Sequence, residues 1–264
     1  MTTLNGGAER FLSQQILVIG ASAGGIGGAV AERFAREGAD LWLASPQEPE
    51  KLLKQLRRIT SSVCWIQCDI TDTASMKETA ARVQREAGSI HGFVNNAGVE
   101  SCELLESMSD EQISEQLEVN LHGAIRITKY LLPTIVSPGF IVHIGSMLGL
   151  AGCPGFATYS AAKAGLAGFV RSLALELSER RIRVNVVAPA LVHSPMTHKH
   201  AHIWTAEVET QIRRSHPLGI GMTHDVAATV AFLASEDARW ITGIVLPLGW
   251  TPSYPIPESF FGDT

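Results

Sequence analysis

The chain has 264 residues, 45% of them hydrophobic, and a formal net charge of −5. This length suits one α/β domain with a large core, and an acidic balance without any Lys/Arg run argues against nucleic acid or an anionic membrane as partner. No run of about 18 apolar residues occurs, and Met1 to Arg10 lacks the basic-then-apolar order of a secretory signal, so a cytoplasmic protein acting on a small molecule is expected.

In chain order, Gln15 to Ile19 reads as a buried strand that enters Gly20-Ala21-Ser22-Ala23-Gly24-Gly25-Ile26-Gly27-Gly28. A helical stretch, Ala29 to Glu37, follows with Val30 and Phe34 four residues apart. Glycines there let backbone approach a phosphate, and the helix amino terminus offers unpaired N–H groups to a pyrophosphate. Further strands are read near 40–44, 63–68, 91–95, 139–145, 182–188 and 243–247, with helices between them and no long linker or repeat. Such alternation predicts a parallel sheet covered on both faces. The longest helices are expected over 110–136, opened by a Ser109/Gln112 capping box and bent at Pro133, and over 157–179. Residues 193–217 break the alternation and read as a lid over the site.

The four cysteines, Cys64, Cys68, Cys102 and Cys153, read as reduced structural thiols rather than a disulfide or metal framework. Cys64 and Cys68 share one strand face, and Cys153 is expected to line a pocket. Tyr159 and Lys163 carry the strongest chemical signal. One helical turn apart, they share a face, and a phenol held beside an ammonium forms an acid/base whose positive partner favours phenolate and lowers the tyrosine pKa.

Taken with their surroundings, these residues resemble the short-chain dehydrogenase/reductase family from about Gln15 to Gly249. The resemblance is carried by Asn95-Asn96-Ala97-Gly98, by Asn120 in the next helix, by Ser146 thirteen residues before Tyr159, and by Lys163. Cys68-Asp69-Ile70 and Arg183 to Pro189 add to it. It implies a single doubly wound Rossmann-type α/β domain over 14–250, with a central parallel sheet of about seven strands and helices on both faces. A flexible segment, 1–13, would precede this catalytic domain and a tail, 251–264, would follow it. It also implies an NAD(P)-dependent oxidoreductase interconverting a secondary alcohol and a ketone. Tyr159 would be the general acid/base, Lys163 would favour its tyrosinate and hold the nicotinamide ribose, Ser146 would orient the substrate oxygen, and Asn120 would position a relay water. Dinucleotide contacts are expected from Gly20, Ser22, Ala23, Gly25, Ile26, Gly27, Ser45, Asp69, Ile70, Asn96, Ala97, Gly98, Tyr159, Lys163, Pro189, Ala190, Val192 and Ser194. Substrate contacts are expected from Ser146, Leu148, Cys153, Phe156, Tyr159 and Leu191, and a dimer or tetramer from pairing of the two long helices.

The chain departs from the family pattern in four places. Four residues separate Gly20 from Gly25, one more than usual if Gly25-Ile26-Gly27 opens the helix; aligning Gly24 instead displaces the final glycine. Ile19 stands for the usual Thr, Pro189-Ala190 for Pro-Gly, and Leu246 to Trp250 lacks an Asp-Gly-Gly ending. Ala44-Ser45-Pro46 carries neither the acid of NAD-preferring members nor the base of NADP-preferring ones, and the lack of a charged donor leans the expectation to NAD. The apolar set Met147, Leu148, Cys153, Pro154, Phe156, Leu191 and Val192 suggests a hydrophobic or cyclic alcohol/ketone, with Glu100 a polar exception. His193, His198, His200 and His202 read as a solvated lid face, and no metal is expected. The alternative function is a dinucleotide-binding regulatory or non-redox protein on the same scaffold.

Overall fold

The computed structural model of the protein describes residues 9–199 and 205–250. Most of the expected N-terminal segment, the tail 251–264, and His200 and His202 lie outside the described residues.

The first half of the chain folds as β1 (Gln15–Ile19), α1 (Ile26–Arg36), β2 (Asp40–Ser45), α2 (Glu50–Leu56), β3 (Val63–Gln67), α3 (Thr73–Glu86), β4 (Ile90–Asn95), α4 (Asp110–Leu117) and α5 (Ala124–Leu131). The second half adds β5 (Ile135–Ile144), α6 (Ala157–Glu176), β6 (Ile182–Pro189), β7 (Val192–His193), α7 (Pro195–His198), α8 (Ala206–Ser215), β8 (Gly221–Met222), α9 (Thr223–Ala234) and β9 (Val245–Leu248). Seven strands form one parallel sheet in the order β3-β2-β1-β4-β5-β6-β9, and β7 pairs with β8 beside it.

The sheet is buried on both faces, which is why its strands are nearly continuous apolar runs. Successive residues serve opposite cores: Ile16 and Val18 pack with α1, α2 and α9, while Leu17 and Ile19 pack with α3, α5 and α6. Phe34 anchors the first core, edge-on to Phe11 at 4.9 Å between ring centroids. Cys64 and Cys68 both face the second core, and all four cysteines are unpaired.

The expected helix over 110–136 is interrupted. Its start is the Ser109/Gln112 capping box, but Glu118–Gly123 forms a wider π-helical turn, and Leu132–Thr134 closes α5 as a 3₁₀ turn at Pro133. The π turn sits where Gly123 packs against Ile70, whose carbonyl oxygen would lie 2.8 Å from a Cβ at that position. Such turns are enriched at functional sites, and this one contains Asn120.

Strand order reverses between β1 and β4, because the chain runs outward through β2 and β3 and then crosses back to β4. In an open α/β sheet the crevice at the carboxyl ends of such strands is where ligands bind.

Candidate active site

A cleft of ≈ 960 Å³ opens at that switch point. Its floor is the glycine loop after β1. Gly20 has φ +78°, and a Cβ there would lie 2.6 Å from the Ala97 nitrogen, so the loop can meet the Asn96-Ala97 segment only with glycine in place. Gly25 is the N-cap of α1 and has no side-chain cap. The first-turn N–H groups of α1 are therefore left for a ligand, as an anionic pyrophosphate requires. Of the two glycine alignments, the fold adopts the one in which Gly25 opens the helix. Gly24 absorbs the extra residue in a left-handed conformation, φ +77°.

Most of the expected dinucleotide residues line this cleft: Gly20, Ser22, Gly25, Ile26, Ser45, Asp69, Ile70, Asn96, Ala97, Gly98, Pro189, Ala190, Val192 and Ser194, along with Tyr159 and Lys163. Ala23 and Gly27 are not among the lining residues. Gly27 is buried against the loop itself, where a Cβ would lie 2.6 Å from the Gly20 carbonyl oxygen and 2.8 Å from Asn96 Nδ2. It serves packing of helix on loop. Ser45 lies at the far end of the cleft with its hydroxyl engaged, donating to the Gln47 carbonyl at 2.7 Å and accepting from Trp65 Nε1 at 3.0 Å. Lys163 is the single Lys or Arg among the described lining residues, and it lies at the opposite end.

The reacting groups converge at the end of β5. Tyr159 and Lys163 lie on one face of α6, both buried, with Lys163 Nζ 5.6 Å from the tyrosine ring centroid. Lys163 donates to the Ile144 carbonyl at 3.0 Å. The Ser146 hydroxyl accepts from the Leu148 N–H at 3.1 Å and favours the ionised form of the Tyr159 phenol. Burial and the Glu100 charge push the Tyr159 phenol up to about 12 against the Ser146 hydrogen bond, and burial brings Lys163 down to about 8. The sequence led to the opposite direction for Tyr159. Desolvation of a phenolate outweighs an ammonium that is itself desolvated and points at a carbonyl, which favours the neutral phenol.

Asn120 does not reach the cleft with its side chain. It is buried, with Nδ2 donating to the carbonyls of Val99 (2.8 Å) and Gln116 (2.9 Å) and Oδ1 accepting from the Val99 N–H at 3.2 Å. This amide is spent on clamping Val99, so a water held by Asn120 could meet only its main chain. Gly98 must be small for the same reason: a Cβ there would sit 2.8 Å from Asn120 Oδ1 and 3.5 Å from Lys163 Nζ.

The substrate half of the cleft is walled by Leu148, Cys153, Phe156 and Leu191, as expected, and also by Met196, Val208, Ile212, His216 and Trp250. These last five lie far along the sequence from the motif residues, and only the break in alternation over 193–217 hinted at the first four. His216 is fixed by accepting from the Leu191 N–H at 3.1 Å, which ties the end of α8 to the cleft rim. His193 and His198 stand 6.2 Å apart between ring centroids, and among the described residues no three metal-ligating side chains converge.

A doubly wound sheet with a glycine loop at its switch point and a Ser–Tyr–Lys set beside it defines a nicotinamide-dinucleotide oxidoreductase. A family model described as "Enoyl-(Acyl carrier protein) reductase" matches residues 20–248. The 3-oxoacyl-[acyl-carrier-protein] reductase FabG of Thermotoga maritima is 35% identical over 240 residues, covering 89% of this chain and 96% of that protein. That of Escherichia coli is 36% identical over 234 residues, covering 87% and 93%. Among solved structures, a short-chain dehydrogenase/reductase from Burkholderia xenovorans superposes with a TM-score of 0.83 at 32% identity, covering 91% of this chain and 96% of that one. The chain belongs to the short-chain dehydrogenase/reductase family and is an oxidoreductase of a carbonyl/alcohol pair with a nicotinamide cofactor. Among the described residues no helix is long and apolar enough to cross a membrane.

Proposed function

We propose that the protein reduces the ketone of a 3-oxoacyl compound, with Tyr159 as the proton donor. The observation that carries this reading is the convergence of Ser146 with the buried Tyr159 and Lys163 in a cleft walled there by Leu148, Phe156 and Leu191. Burial favours the neutral phenol at Tyr159, a form that can donate its proton to an alkoxide developing on a ketone. Ser146 would share the substrate oxygen with Tyr159, and Lys163 would hold a ribose hydroxyl of the nicotinamide cofactor and keep a positive charge near the phenol. A bound nicotinamide supplies the hydride. Leu148, Phe156, Val208 and Ile212 would accept an acyl chain. An acyl ketone takes the place of the hydrophobic or cyclic alcohol/ketone expected from the sequence, because the relatives are 3-oxoacyl-[acyl-carrier-protein] reductases. The segment 193–217 is proposed to act as a lid, since α8 meets the cleft on its apolar side.

For the cofactor we favour NAD. A ribose 2′-phosphate calls for a charge-assisted donor, and the Ser45 end of the cleft has no Lys or Arg among its described lining residues. Michaelis constants measured with NADH and NADPH against a neutral 3-oxoacyl ester are expected to favour NADH, and a clear NADPH preference would reverse the assignment. No turnover with either would remove the reductase reading. Four unpaired thiols support a reducing, cytoplasmic setting. We also propose a dimer or tetramer joined through the α4–α5 and α6 faces, where Leu175 is 77% exposed. Light scattering on a sizing column should give a multiple of the chain mass, and a monomer alone would contradict it.

A further inference from the structure

α8 carries its apolar residues on one side. Val208, Ile212 and His216 follow at intervals of four residues, which stacks them on a single helix face. All three line the cleft, whereas Glu207, Glu209, Thr210, Arg213 and Arg214 are exposed. Val208 and Ile212 are half-buried and belong to neither core cluster of the sheet. What their face of α8 covers is therefore the cleft. The hold on the cleft rim comes from His216, which closes α8 and is buried with both ring nitrogens bonded. Its Nδ1 meets the Ile212 carbonyl at 2.8 Å and the Ser215 hydroxyl at 2.9 Å, and its Nε2 accepts from the Leu191 N–H at 3.1 Å. A carbonyl only accepts and a backbone N–H only donates, so these partners assign the proton to Nδ1 and a lone pair to Nε2. The Leu191 carbonyl accepts from the Gly221 N–H at 3.0 Å. Leu191, itself a wall of the cleft, is thus held through its N–H by α8 and through its carbonyl by β8.

From this geometry we propose that His216 is a positioning residue for the acyl chain of the substrate: it fixes the Val208/Ile212 face of α8 relative to Leu191 and so builds the apolar wall by which the site favours longer acyl ketones over short ones. The inference rests on the reductase reading above. Removing the Nε2 acceptor leaves the Leu191 N–H without this partner and lets Leu191 and α8 move apart. Contact along the chain weakens, while Ser146, Tyr159 and Lys163 keep their places on β5 and α6, away from α8. Each methylene taken out of water is worth several-fold in affinity, so the loss grows with the length of the chain.

The test measures kcat and KM, at saturating reduced dinucleotide, for ethyl acetoacetate and for ethyl 3-oxooctanoate, whose acyl chain is longer by four methylenes. Wild type, His216→Gln, His216→Asn and His216→Leu are compared. The wild type is expected to prefer the octanoate in kcat/KM by about ten-fold or more. His216→Leu is expected to raise KM for the octanoate about ten-fold, with kcat for both esters and KM for the acetoacetate changing less than about two-fold. His216→Gln, whose Oε1 can still accept from Leu191, keeps the preference, and the shorter His216→Asn loses it. A preference unchanged in both His216→Leu and His216→Asn, or a fall in kcat shared equally by the two esters as from a smaller active fraction, overturns the role of His216 and leaves the reductase reading intact. A wild type that reduces both esters without preference does the same. A wild type that reduces neither overturns both. Should His216→Leu fail to fold, the contrast between His216→Gln and His216→Asn decides, and equal chain preferences in those two refute the role.

Discussion

Tyr159→Phe is expected to lower kcat for ketone reduction by about 10³-fold while changing the dissociation constant of the reduced dinucleotide by less than about three-fold. The ring is almost fully buried, 8% exposed, and packs edge-on to Phe156 at 6.3 Å. Phenylalanine keeps that packing and loses only the hydroxyl. What disappears is the proton that must reach the substrate oxygen as negative charge develops there. Water could deliver that proton only poorly, because the phenol is enclosed by apolar walls. Single-turnover absorbance at the reduced-nicotinamide band separates this loss from weaker binding. A rate near that of the parent protein would remove Tyr159 from the chemistry.

A second large effect concerns stability and involves no substrate. His143, near the carboxyl end of β5, is fully buried between the rings of Phe93 and Phe169. Its Nδ1 lies 3.4 Å from Asn95 Nδ2, and its Nε2 lies 3.5 Å from the Thr128 hydroxyl. Thr128 donates its own proton to the Ala124 carbonyl at 2.7 Å, so its oxygen is an acceptor, and the network assigns the proton to Nε2. The neutral ring fits these partners. A second proton on Nδ1 would face the Asn95 amide hydrogens. Burial, with the nearby Lys163 charge, brings His143 down to about 3.

The sign follows from linkage. The unfolded chain takes up this proton near pH 6.5 and the folded chain only near pH 3, so the stability contribution is complete above pH 6.5 and is lost as pH falls through that window. Complete loss would amount to on the order of 4 kcal/mol. Urea midpoints should fall between pH 7 and pH 4.5 more steeply for the wild type than for His143→Asn, which carries no titrating ring. Equal slopes for the two proteins would contradict the assignment.

Much of this architecture was legible in the residues because local rules and global packing agree. The parallel strands are mostly apolar runs, and the glycine loop lies between a strand and a helix, as in a nucleotide-binding βαβ unit. The Ser109/Gln112 box marked the start of α4 to the residue. The π turn did not show, because Glu118 to Gly123 has ordinary helical composition and the widening depends on Gly123 meeting Ile70 from another element. The bond from the Asn120 side chain to Val99 did not show for a related reason: Val99 lies 21 residues away, and no periodicity links the two. The direction of the Tyr159 shift also depends on tertiary structure. Spacing reveals that Lys163 is near, but not that burial outweighs its charge. Val208, Ile212 and His216 reach the cleft only because α8 folds back over the sheet edge.

The central claim, that Tyr159 protonates a ketone beside a nicotinamide, is tested most directly by isotope transfer. The protein is given reduced dinucleotide deuterated at the transferring position and a neutral 3-oxoacyl ester, and the alcohol is analysed by mass spectrometry for deuterium on the carbinol carbon. One deuterium per product is expected in the wild type, with product formation about 10³-fold slower in Tyr159→Phe. Alcohol formed without the label, or formed at equal rates by the two proteins, would contradict it.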